Sequence, residues 1–100
     1  MRPDDEGGDD RILDEAAYAM SSKYRIFVLE TLTYQPSTPT QIAKQHDVAL
    51  SHVSRALSEL SDRDVVQSHS SGSRTKLFSL TSRGKRVVGV VDELKQGEGE

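Results

Sequence analysis

The sequence predicts one mainly α-helical domain carrying a single small β-hairpin, an α+β arrangement, and three observations predict it. Apolar residues recur at helical spacing in five segments. Thr38-Pro39-Thr40-Gln41 carries a helix-start signal, and Asp47 parts the short helix that follows from a second one. Strand-like pattern occurs only between Val65 and Leu80, around a Ser- and Gly-rich turn. With 100 residues, 34% of them hydrophobic and 29% charged, the chain has room for one core and no second. The expected layout is a disordered acidic arm over 1–8, one domain over 9–96 and a disordered tail over 97–100.

Along the chain, Ile12, Leu13, Ala16, Ala17 and Met20 form the apolar stripe of a first helix that Asp9 or Asp10 can cap. Ser22 caps a second helix bearing Ile26, Val28, Leu29 and Leu32, and Tyr34-Gln35-Pro36 ends it. Thr38, Pro39 and Gln41 supply a capping hydroxyl, a proline at the first helical position and a reciprocal side chain, so a third helix starts there and runs to about His46. Leu50, Val53, Leu57 and Leu60 mark the fourth. Val65 to His69 and Arg74 to Leu80 read as strands joined by Ser70-Ser71-Gly72-Ser73, with Phe78 and Leu80 on one face. Thr81-Ser82-Arg83-Gly84 then opens a last helix with Val87, Val88, Val91 and Leu94 on its apolar side.

The third and fourth helices form a helix-turn-helix, and the hairpin after them makes it winged. Ala43 is small where the helices cross, and Val53 fills the angle between them. Asp47 stands where such turns usually have Gly, because the backbone must be left-handed there, a conformation that Asp tolerates. Ala49 stands where Ser or Thr usually caps the following helix, which costs about 1 kcal/mol.

The chain resembles winged helix-turn-helix transcriptional regulators of the broad ArsR-like and MarR-like group over roughly residues 21–88. Three stretches carry the resemblance: Ser21 to Ile26 with Leu29 and Leu32; Ile42-Ala43 through Val53 to Leu57 with Leu60; and Phe78 to Thr81 with Gly84. The resemblance implies a DNA-binding regulator working as a homodimer on a partly palindromic site. Nine aspartates in an acidic chain also look haloarchaeal.

A net charge of −3 is unusual for a nucleic-acid binder, but its distribution is uneven. Residues 1–15 hold seven acids and two bases, whereas residues 37–91 hold eight bases and four acids. That distribution is compatible with phosphate contact and alone decides nothing; the helix-turn-helix and the resemblance imply double-stranded DNA as the partner, met by Leu50, Ser51, His52, Ser54 and Arg55 of the fourth helix. Arg55 can pair with a guanine, Ser51 and His52 with base edges or phosphates, and Leu50 with a thymine methyl. Arg74 and Lys76 on the wing suit phosphate or minor groove, with Ser71, Ser73 and His69 beside them. Thr38, Thr40 and Gln41 at a helix start are phosphate-contact candidates whose ordinary role is capping. Ile12, Leu13, Ala16, Val87, Val91 and Leu94 are the expected dimer interface, the alternative being that the two ends of one chain pack together.

Other functions find less support. Without cysteine there are no disulfides, thiolate metal sites or thiol nucleophiles. His46, His52 and His69 fall on three elements with no chelating spacing, so no metal and no cofactor are expected. Phosphate-binding Gly-rich loops, a nucleophile elbow and paired carboxylates are absent, so no enzyme is expected. With neither an apolar span nor a signal-peptide pattern, the expected location is the cytoplasm, away from membranes. A protein-interaction module and a non-specific architectural DNA binder remain the alternatives, and no small-molecule effector can be read.

Overall fold

The apolar pattern and the caps become five helices and a two-stranded hairpin in the computed structural model, which describes residues 3–70 and 75–98. The order is α1 (Pro3–Met20), α2 (Lys23–Tyr34), α3 (Pro39–His46), α4 (Leu50–Asp62), β1 (Val66–Ser70), β2 (Lys76–Leu80) and α5 (Ser82–Glu98). Both terminal helices extend beyond the expected domain limits. α1 begins inside the segment read as a disordered arm, well before Asp9, and α5 reaches into the tail. Pro3 at the first helical position and acids at residues 4–6 are the residue types that a helix start favours, through preset φ and the helix dipole.

The internal helix ends are built as their sequences dictate. Ser22 Oγ accepts from the Arg25 amide at 3.4 Å, and Thr38 and Gln41 close a capping box at 3.2 and 2.9 Å. Asp47 is left-handed at φ 55 and ψ 50, with its amide on the Lys44 carbonyl and the Val48 amide on that of Ala43. This is the Schellman closure, with apolar Val48 folded back over the helix. The end of α4 repeats it. Asp64 is left-handed at φ 63, its amide reaches the Ser61 carbonyl, and the Val65 amide reaches that of Leu60.

One core joins the layers. Val28, Leu29 and Leu32 of α2 meet Ile42 and Ala43 of α3 and Val53, Ala56, Leu57 and Leu60 of α4, all buried. β1 and β2 pair antiparallel from Val66 opposite Leu80 to Ser70 opposite Lys76, and Phe78 and Leu80 pack against the core. Buried Ser37 exchanges backbone hydrogen bonds with Phe78 at 3.0 and 2.9 Å, which ties the α2–α3 linker to the hairpin. Behind the hairpin, the Thr81 hydroxyl donates to the Asp64 carbonyl at 2.7 Å and accepts from the Gly84 amide at 2.8 Å. A side chain at Gly84 would overlap the Val65 carbonyl oxygen.

Four of the six residues expected at a dimer interface are drawn into the chain's own packing. α1 packs along α5, and Ile12, Ala16, Val87 and Val91 are buried within the single chain. Leu13 and Leu94 remain exposed, at 53% and 41%. Packing between the two end helices thus covers part of their apolar surplus.

Candidate nucleic-acid interface

α4 divides cleanly between core and solvent. With Val53, Ala56, Leu57 and Leu60 turned inward, the opposite side shows Leu50, Ser51, Ser54 and Arg55 to solvent. The Arg55 side chain is 82% exposed and Leu50 is 48% exposed. No side chain caps the start of α4 at Ala49, which leaves the amides there for an external acceptor. His52 is exposed as well. Its ring stacks on Tyr24 of α2, with centroids 4.4 Å apart and planes 14° apart, so its orientation is fixed by the protein.

The start of α3 and the hairpin flank this face. Thr40 and Gln41 are exposed and Thr38 is half-buried, while the hydroxyl of Thr38 and the side-chain carbonyl of Gln41 are spent in the capping box. A cleft of about 260 Å³ brings Pro39, Ser54, Ser58, Ser61, Ser68 and Lys76 together between the two helices and the hairpin. Lys76 is thus placed beside α4. Ser71, Ser73 and Arg74 lie outside the described residues. His69 pairs through Nε2 with Ser79 Oγ at 2.9 Å on the exposed hairpin.

Two of the eight bases counted over residues 37–91 serve the fold. Glu15 of α1 holds Arg63 at 3.0 Å and Arg83 at 2.9 Å, joining the end of α4 to the start of α5. The hydrogen bond to Glu15 raises the Arg63 pKa above its ordinary value. Tyr18 lies between two guanidiniums, Arg25 at 3.8 Å and Arg63 at 3.5 Å from its ring centre. Arg25 also binds Glu59 of α4 at 3.0 Å, and Glu59 in turn faces Arg55 at 3.4 Å. Sequence reasoning missed Tyr24, Arg25 and Glu59. Only the four-residue spacing of Arg55 and Glu59 was visible there.

The histidines stay apart. His46 stacks on Phe27 with centroids 4.4 Å apart, and its Nε2 lies 2.9 Å from Thr31 Oγ1. That hydroxyl donates to the Phe27 carbonyl at 3.0 Å, which assigns the proton of the second bond to His46 Nε2.

Residues 13–98 match the model of the HVO_A0261 N-terminal domain. The chain belongs to that family. The HVO_A0261 N-terminal domain family is haloarchaeal, in keeping with the acidic composition. No curated protein matches the chain. Among solved structures, a variant of Lactococcus lactis ZitR is 28% identical at a TM-score of 0.58 over 69% of this chain. The chain spans about half of the ZitR length, 47%. The homodimeric winged helix-turn-helix DNA-binding domain of Mycobacterium bovis Mb0332, a possible ArsR-family regulator, is 16% identical at a TM-score of 0.71, covering 99% of this chain and 89% of its own. The transcriptional regulator YodB from B. subtilis is 15% identical at a TM-score of 0.73, covering 96% of this chain and 89% of its own. These likenesses give this member of the family the winged helix-turn-helix fold of ArsR- and MarR-type regulators.

Proposed function

We propose that the chain is a sequence-specific, non-enzymatic, DNA-binding transcriptional regulator of the cytoplasm. It acts as a homodimer, with α4 in the major groove and the hairpin on the backbone or minor groove. The observation that carries this reading is the two-sided α4. One side is locked into the core, and the other offers Leu50, Ser51, Ser54 and a highly exposed Arg55 beside Lys76 and the start of α3. A helix held rigidly by one face while showing short polar groups and one planar cation on the other suits reading base edges.

Each residue has a role in this reading. Arg55 pairs with a guanine, Ser51 and Ser54 bond base edges or phosphates, and Leu50 meets a thymine methyl. His52, stacked on Tyr24, contributes a ring edge of fixed orientation. Lys76, with Arg74, Ser71 and Ser73, serves the backbone, and Thr40 and Gln41 meet a phosphate at the start of α3. Mb0332, described as a homodimeric DNA-binding domain, supports the dimer by analogy.

Selection of bound sequences from random duplex DNA tests this. The wild-type chain is expected to enrich one motif with two related half-sites, and Arg55→Ala to lose the preference for a guanine within each. Binding without any enriched motif contradicts a sequence-specific regulator and leaves an architectural binder; no binding leaves a protein-interaction module.

A further inference from the structure

An exposed arginine has many rotamers, so a guanidinium that must meet one base benefits from a support. Arg55 has one. Its Nε lies 3.4 Å from Oε2 of Glu59, one turn further along α4, while Glu59 Oε1 accepts from Arg25 Nε at 3.0 Å. Arg25 is held from other sides as well. Its Nη1 donates to the Tyr18 carbonyl and to Ser21 Oγ, both at 2.9 Å, and its guanidinium lies 3.8 Å over the Tyr18 ring. Side-chain exposure rises outward along the chain of contacts, from 13% at Arg25 through 29% at Glu59 to 82% at Arg55. The fixed end is the α1–α2 corner, and the end that is steered is Arg55.

The pair has little to offer as a stabilising device, because it is exposed and places Arg before Glu, the weaker order along a helix. A carboxylate on a DNA-facing helix also repels phosphate. Its contact with Nε has another use: end-on pairing with guanine O6 and N7 employs the two terminal nitrogens, and Nε is the one that such pairing leaves over. We propose that Glu59, anchored by Arg25, is a positioning residue that determines specificity by holding Arg55 with Nη1 and Nη2 turned toward a single guanine. This rests on the reading of α4 as the recognition helix. Glu59 does not itself touch DNA. Neutralising it trades discrimination for unchanged or tighter binding to unrelated sequences.

The test uses the full chain and fluorescence anisotropy on the duplex that the wild type selects. A second duplex carries 7-deazaguanine, which lacks N7, at the guanine whose preference depends on Arg55. The wild type is expected to bind the second duplex about tenfold more weakly, within the range of a bidentate base contact. Glu59→Gln retains an acceptor for Arg25 but loses the charge that holds Arg55, and the ratio should fall to about threefold. Because both affinities come from one protein sample, partial unfolding cancels in the ratio. In an Arg55→Ala background, Glu59→Gln should leave the ratio unchanged. A wild-type ratio in Glu59→Gln, or an effect of that change that persists without Arg55, overturns the inference while leaving the reading of α4 intact. If no guanine preference depends on Arg55, the reading of α4 fails and the inference with it.

Discussion

Asp47 and Asp64 hold the same left-handed conformation for the same reason: each lets a following valine fold back over the helix that it ends. The first was legible in the sequence, because it sits between two apolar periodicities where a turn is required. The second was not, since Asp62-Arg63-Asp64 reads simply as a helix end and the left-handed residue is fixed by where Val65 must go. Both positions should tolerate Gly and reject branched side chains. Asp47→Gly is expected to change stability by less than about 1 kcal/mol and Asp47→Val to cost about 1–2 kcal/mol in urea denaturation. Gly84 is stricter. With the Val65 carbonyl where a Cβ would go, Gly84→Ala should cost about 1–3 kcal/mol in the same measurement by forcing the hairpin away from α5.

Among the elements, α3 and α4 were the most legible, because capping, turn and core spacing are all local. The Arg25–Glu59 tether and the Tyr24–His52 stack were not, because they join α2 to α4 across the fold and leave no mark at short range. The weak start of α4 was legible too. Ala49 forms no cap, so Ala49→Ser should stabilise the unbound chain by about 1 kcal/mol, read as a rise in Tm of about 4–8 °C. If the added hydroxyl takes an amide that a phosphate would otherwise bind, the same change weakens DNA binding, and the two measurements together report whether that helix end is used.

Across the whole molecule, the sequence revealed an apolar surplus on α1 and α5 but not what covers it, since two helices of one chain and two copies of one helix look alike in a pattern. Intramolecular packing takes Ile12, Ala16, Val87 and Val91. What remains for a dimer is exposed Leu94 and the shallow groove of Ile12, Leu13, Arg86, Gly89, Val90 and Glu93. Leu13→Asp should therefore give a folded monomer in analytical ultracentrifugation, whereas Val87→Asp should unfold the chain; a Leu13→Asp protein that remains dimeric would place the interface elsewhere. Net charge is −3, and Glu15 alone engages two arginines of the basic middle, so bulk attraction to DNA is weak. Affinity should fall with salt at a logarithmic slope of only about −2 per protomer, the share of Arg74 and Lys76 as phosphate contacts. A slope of −5 or steeper would mean that charge, not contact geometry, drives binding.

The face proposed to meet DNA can be read directly by titrating the isotope-labelled chain with the duplex that selection yields and following backbone amide shifts by NMR. The account predicts the largest changes at Leu50 to Arg55, at the start of α3 and around Lys76, with α1 and the outer side of α5 unmoved. Shifts concentrated on α1 and α5, with those of α4 unchanged, would contradict it.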